Sequence, residues 1–381
     1  MSEYQYYEFQ AIDRPLTEAD RAALRALSTR ARITATSFTN SYEWGDFKGD
    51  PVKLMERWFD LHLYLANWGA RRLMLRLPTR LVDRHRLDAF LSEVDSAELT
   101  VAGENLILDI FDEELESDDW DDEEDGSGWL ASLAPLRADL LAGDLRLFYL
   151  LWLTAVQADR LEPDEQEPLP GIGPMTGALE AFADFFDIDG DLVAAAAERS
   201  DNTMSAAPAS PETVRQIISA MTEADKNSLL ARLFDGDLHV MSELRTLVRD
   251  RSKPDIAAPL AAARTVGELR ARADAIRLAR ERAHADEAAA ERKRREEADE
   301  RHRRTWLNTL IQRGERVWQE IETEIERRNP GSYDRAVGLL SDLKAIAEEQ
   351  GTREEFSRRV QTIRERHARK ERFVERLAKL G

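Results

Sequence analysis

Apolar positions in this chain change their spacing along its length, and the changes mark out its elements. Across residues 4–12, Tyr7, Phe9 and Ala11 fall on one side of an aromatic-rich run, which predicts a β-strand. Thr17 with Asp20 three residues on has the spacing of a capping box, and Ala22, Ala23, Leu24 and Leu27 give the following helix its apolar stripe. Residues 33–38 predict a second strand, 40–51 a polar and aromatic loop, and 52–68 an amphipathic helix stopped by Gly69. Leu73, Leu75 and Leu77 alternate as a strand does. A short helix over 82–94 follows, then strands over 99–101 and 106–111, turned by Ala102-Gly103-Glu104-Asn105. Together these predict a small βαβαβαββ domain over residues 1–112.

Beyond it the pattern turns helical. Residues 113–128 are crowded with acids, whose mutual repulsion suits an extended linker. Residues 129–264 read as a helical domain: 145–156 is apolar on every side, as a buried helix is, while Ser210-Pro211-Glu212 and Thr222 with Asp225 are helix starts. A soft break at 200–208 divides this stretch. Residues 265–328 predict one long helix whose middle, 283–304, is alanine and charge, held by pairs such as Glu297–Arg301 and Glu300–Arg304 that give only about 0.2–0.5 kcal/mol each. It projects into solvent or packs on a partner, a second copy included. A wide apolar face from Trp306 through Leu310, Val317, Trp318 and Ile321 to Ile325 then meets two helices over 333–349 and 354–380, which fold back after Asn329-Pro330-Gly331. The fold class is therefore α+β: a small α/β domain, then a predominantly helical region over 129–264, with a long helix and a C-terminal helical bundle over 265–381.

Composition narrows the chemistry. At 381 residues two or three domains are expected, and the absence of cysteine excludes disulfides, thiol catalysis and cysteine-ligated zinc. The net charge of -20 is uneven: about +6 sits on residues 251–381 and about -26 on 1–250, so only the tail offers nucleic acid a basic surface. No apolar run approaches the roughly 18 residues that cross a bilayer, and MSEYQYYEFQ lacks the basic and apolar parts of a signal peptide. The expectation is a cytoplasmic protein without membrane contact.

The opening EYQYYEFQAIDRPLT, with WGDFKGDP and NWGARRLMLRLP after it, resembles the amino-terminal signature of an uncharacterised bacterial protein family. The close, SYDRAVGLLSDLKAIAEEQGTREEFSRRVQTIRERHARKERFVERL, is similar to the helical tail of bacterial SWIM zinc-finger proteins, whose genes neighbour those of that family. The resemblance implies a SWIM zinc-finger protein as partner. It implies no activity and no catalytic residue, and the finger's cysteine and histidine ligands are absent here.

The most site-like string is Asp187, Asp189, Asp191 and Glu198, at positions 1, 3, 5 and 12 of an EF-hand calcium loop. Leu192 stands where that loop needs glycine, and the plainer reading has Asp191 capping a helix over 192–198. Gly171, Gly173 and Gly177 enter a helix as a phosphate cradle would, but no Lys-Ser/Thr pair follows and Pro174 removes a donor, so a glycine-rich helix entry is the commoner reading. The six histidines, His62, His85, His239, His284, His302 and His367, lack metal-ligand spacing and read as surface or half-buried residues. No GxSxG or HExxH occurs, and no cofactor is implied.

Contact residues are easier to nominate. Tyr42, Trp44 and Phe47 crowd the loop after the second predicted strand, Trp120 lies in the acidic stretch, and Trp306 and Trp318 lie on the tail's apolar face; all six are candidates for protein contact, with core packing or a solvated linker as the plain alternatives. Arg292, Lys293, Arg294, Arg295, Arg303 and Arg304 could meet nucleic acid, although glutamates interrupt each cluster. The expected function is a non-enzymatic adaptor or structural subunit of a bacterial multiprotein system, binding partner proteins through the α/β head and the helical tail. The alternatives are a nucleic-acid-associated regulator, acting through the tail or a zinc-finger partner, and an enzyme with a dispersed site in the head.

Overall fold

Strand after strand in the first hundred residues places leucine on one side and aromatic or charged side chains on the other, and this alternation builds one sheet. A computed structural model describes residues 3–113, 125–199, 210–252 and 263–379. Its first elements are β1 (Gln5–Gln10), α1 (Glu18–Leu27), β2 (Arg32–Ile33), β3 (Ser37–Tyr42), α2 (Pro51–Arg57), β4 (Leu61–Ala66), β5 (Arg71–Pro78), α3 (Arg84–Leu91), β6 (Ala97–Ala102) and β7 (Asn105–Asp112). The strands form an antiparallel sheet in the order β2-β3-β1-β4-β5-β7-β6.

The α+β class holds, while the element order is βαββαββαββ rather than βαβαβαββ. One difference is a hairpin: the second strand is the short β2, and β3 extends into the expected loop. The other is a change of type. The helix expected over 52–68 ends at Arg57, and Leu61–Ala66 is a strand, paired in the sheet with β1 on one side and β5 on the other. Leu61, Leu63 and Leu65 are buried on one face and His62 on the other, so the run is apolar almost throughout and hides its two-residue period.

Each face acquires its own core. Leu63, Leu73, Leu75, Leu108 and Ile110 pack beneath α4 (Trp129–Leu133), α5 (Pro135–Leu141), α6 (Arg146–Gln157), α7 (Gly177–Phe185) and α8 (Gly190–Ala197). The all-apolar segment behaves as expected: α6 is buried at every position from Leu147 to Leu153. Because this core is continuous, the expected boundary between 1–112 and 129–264 does not separate two cores; residues 114–124 of the expected linker, and the break at 200–208, lie outside the described residues. On the other face Phe9, Phe38, Met74 and Ile107 join Leu24 of α1 and Leu54 and Met55 of α2. The Thr17–Asp20 capping box that starts α1 is present in both directions.

Three further helices follow, α9 (Pro211–Ser219), α10 (Glu223–Phe234) and α11 (Val240–Ser252), the first two capped by Ser210 and Thr222 as their sequences require. Next comes α12 (Val266–Arg313), then α13 (Glu315–Glu326), α14 (Pro330–Glu349), α15 (Arg353–Arg366) and α16 (Glu371–Ala378). The chain divides into two compact units, Met1–Ala279 and Arg280–Gly381. Val266, Leu269 and Ala273 join the first unit's core, whereas residues 283–304 are exposed all round apart from Ala298. The long helix expected over 265–328 is interrupted at Gly314, whose φ of 53° is open to glycine and strained for other residues. In the second unit Val317, Ile321, Ile325, Leu340 and Phe373 form the core, and the expected last helix is two, α15 and α16. Among the described residues no helix is long and apolar enough to cross a membrane.

Candidate functional site

In the first unit the sheet gathers charges that are scattered in sequence. Asp60, at the entry to β4, is fully buried: its Oδ2 accepts the backbone N–H of Ile12 at 2.6 Å and of Asp13 at 2.8 Å, and its Oδ1 accepts Arg76 Nε at 3.1 Å and Nη2 at 2.7 Å. Arg137 of α5 donates Nε to the Arg76 carbonyl at 2.7 Å and its fork to both oxygens of Asp13. His239, just before α11, completes the chain of contacts, with Nε2 2.9 Å from Asp13 Oδ2. Burial pushes the Asp13 carboxyl up, but hydrogen bonds and charge from His239 and Arg137 outweigh it and hold the group well below the usual carboxylate range. A carboxylate only accepts, so Nε2 carries the proton, and Nδ1 of His239 has no partner among the described residues.

A cavity of about 560 Å³ lies beside this network, lined by Asp13 and His239 and by the arginines 14, 57, 76 and 80. Arg57 lies over the Trp58 ring, 4.5 Å from its centre, and the Trp58 indole donates to Asp20 at 2.8 Å. Arg80 Nη2 reaches both oxygens of Asp237 at 2.8 and 2.9 Å, two residues before His239.

Leu238, between those two anchors, is exposed, as are Leu230, Leu233, Phe234 and Met241 in and beside α10 and α11. Phe234 is 92% exposed. Neither α9 nor α10 has a fully buried residue, so Val214, Ile217, Ile218 and Leu229 are covered only in part. Leu230, Leu233 and Phe234 stand at i, i+3 and i+4, the spacing with which one helix offers a stripe to another.

The acids of the calcium-like string do not converge on a common centre. Asp189, not Asp191, caps α8, its Oδ1 accepting the N–H groups of Asp191 and Leu192 at 2.8 and 3.2 Å. Arg277 of α12 holds Asp189 Oδ2 at 2.7 Å and Asp191 Oδ2 at 3.1 Å, while Glu198 is paired with Arg272. Guanidinium groups thus stand where a cation would be needed, Asp187 is the φ-positive residue before the cap, and among the described residues no group of three or more metal-ligating side chains is gathered. The glycines have a packing reason. A Cβ at Gly171 would come 2.3 Å from the Arg199 carbonyl oxygen, and one at Gly173 2.3 Å from that of Ala197.

The nominated contact residues are dispersed. Tyr42 and Phe47 close over Tyr7, with ring centres 5.9 and 5.1 Å away, which leaves Trp44 exposed by itself. Trp120 lies outside the described residues. In the second unit Trp306, 43% exposed, donates its indole N–H to Asp342 at 2.7 Å, and half-buried Trp318 packs on Phe356 with Arg359 over its ring. Arg292, Lys293, Arg294 and Arg295 occupy consecutive helical positions, so they spread round α12 instead of forming one basic face, as do Arg303 and Arg304; Arg295 also pairs with Glu291 at 3.4 Å.

Two histidines depart from the surface reading. His367 is buried against Glu322 at 2.8 Å, and His62 is fully buried, stacked on Phe9 at 3.9 Å, with Nδ1 3.0 Å from the Glu8 carbonyl and Nε2 unpaired. Burial drives the His62 pKa down to about 3. None of Asp13, Asp60, Arg76, Arg137 and His239 stood out in sequence as a site. For Asp60, Arg76 and Arg137 the one signal was a charge inside an apolar run, as in WFDLHLYL, LMLRLP and APLRADLL. No family model, no curated protein and no solved structure matches the chain.

Proposed function

We propose that the chain is a non-enzymatic adaptor or structural subunit of a bacterial multiprotein system, and that α9–α11 form a contact surface for a partner protein. The observation that carries this reading is the unfinished apolar packing of that element, with Phe234 at 92% exposure beside Leu230, Leu233, Leu238 and Met241. Clustered apolar exposure of this kind costs solubility without adding to the protein's own core, and interaction sites are where it is retained. The stripe at i, i+3 and i+4 suits the apolar face of an amphipathic partner helix. The partner implied by the tail's resemblance is a SWIM zinc-finger protein, and zinc would then enter the complex with it.

The test is purification of the tagged chain from a native host with a photoreactive residue in place of Phe234. The expected result is one protein in fixed ratio, cross-linked through an apolar helix face and lost in the Leu233→Glu/Phe234→Glu variant. A solitary protein, or a partner retained by that variant, overturns the reading.

A further inference from the structure

We propose that the cavity beside the Asp13–His239 pair is a binding site for a small molecule bearing a phosphate monoester. The first argument is charge. Acidic residues outnumber Lys and Arg by 74 to 54 in this chain, yet four arginines and His239 face this cavity against Asp13 and Glu104. Arg76 is consumed by Asp60 and by the carbonyls of Met55 and Glu56, and Arg80 is shared with Asp237. Arg57 bonds to no carboxylate among the described residues and stands over the Trp58 ring, and the carboxylate paired with Arg14, Asp20, is 3.9 Å away. Two guanidinium groups with unfilled donors, one of them placed over an aromatic ring, supply the planar fork with which arginine takes phosphate oxygens.

The second argument is His239. With Nε2–H committed to Asp13, Nδ1 is an acceptor in the neutral ring and a donor in the protonated one. A phosphate monoester near neutral pH exchanges between forms with and without an O–H, so it complements Nδ1 in either state. A sulfate ester, which has no such proton, complements only one. The volume of about 560 Å³ exceeds what a bare oxyanion needs and falls in the range of small-molecule sites, about 300–1,000 Å³. The site stands apart from the adaptor reading, although His239, next to exposed Leu238, lines it, as does Arg80, which holds Asp237 on the other side of Leu238.

The experiment titrates phenyl phosphate into the full chain by calorimetry and follows the ¹⁵N resonances of the His239 imidazole, with phenyl sulfate and benzoate as controls. The expected result is saturable binding of phenyl phosphate that shifts the His239 Nδ1 signal. Phenyl sulfate should bind at least about tenfold more weakly, and the Arg14→Gln/Arg57→Gln variant should lose at least about tenfold in affinity. Both arginines are exposed, so that variant should fold normally. No binding at about 10 mM, equal binding of the sulfate ester, or full affinity in the double variant overturns the proposal. Partner capture through Phe234 is read separately, so failure of one result leaves the other standing.

Discussion

Arg137 and Asp13, 124 residues apart, meet in a two-pronged ion pair with Nη1–Oδ1 at 2.9 Å and Nη2–Oδ2 at 2.6 Å, and the arginine is only 4% exposed. The pair ties the loop after β1 to α5, and Arg137 Nη2 also stands 3.6 Å from buried Asp60. Its worth is best judged by breaking it from one side. Arg137→Met should cost about 3–5 kcal/mol in a urea titration, because two carboxylates lose a buried donor. Adding Asp13→Asn should recover part of that loss; strict additivity of the two changes would show that the pair is not coupled.

His62 should make the protein sensitive to mild acid. Its folded pKa is lowered to about 3, whereas an unfolded histidine titrates near 6.5, so between these values the unfolded chain binds the extra proton. The contribution to stability is therefore full above about pH 6.5 and is lost as pH falls towards 3, by several kcal/mol in all. His62→Phe, which keeps the stack on Phe9, should remove that slope. A His62 imidazole signal that titrates near pH 6.5 in the native protein would refute the assignment.

In the second unit the aromatic residues divide by burial. Phe373→Ala, at a fully buried position, should cost about 3–5 kcal/mol. Trp306→Ala removes a partly exposed ring and its hydrogen bond to Asp342 and should cost about 1–2 kcal/mol. Equal losses in thermal unfolding would place Trp306 in the core after all.

Gly314→Ala should destabilise the second unit although there is room for the methyl group. A Cβ at this position would have the Ile311 carbonyl oxygen as its nearest neighbour, 4.0 Å away, so the cost is conformational: φ 53° and ψ -126° are unfavourable for any residue with a Cβ, by about 1–3 kcal/mol. A variant of unchanged stability would mean that α12 and α13 join differently in solution.

Phe234→Ser should leave stability within about 0.5 kcal/mol of the parent chain, because the ring is almost wholly in solvent. A loss of about 2 kcal/mol or more, approaching that for a buried ring, would show that the surface is covered within the chain itself.

What the sequence determined by itself is the part of the fold carried by local rules. The capping serine and threonines fixed the starts of α1, α9 and α10, the alternation of Leu73, Leu75 and Leu77 fixed β5, and the all-apolar 145–156 fixed α6 as core. Each of these depends on neighbours a few residues away. Tertiary structure decided what depends on distant partners. Leu61–Ala66 became a strand because β1 and β5 were there to pair with it, and no local pattern records that pairing. Asp189, Asp191 and Glu198 met Arg272 and Arg277 from α12, roughly eighty residues on, and so serve as salt-bridge partners. Asp13, Arg137 and His239 have no spacing in common, and only the crossing of β1, α5 and the turn before α11 brings their charges within hydrogen-bond reach.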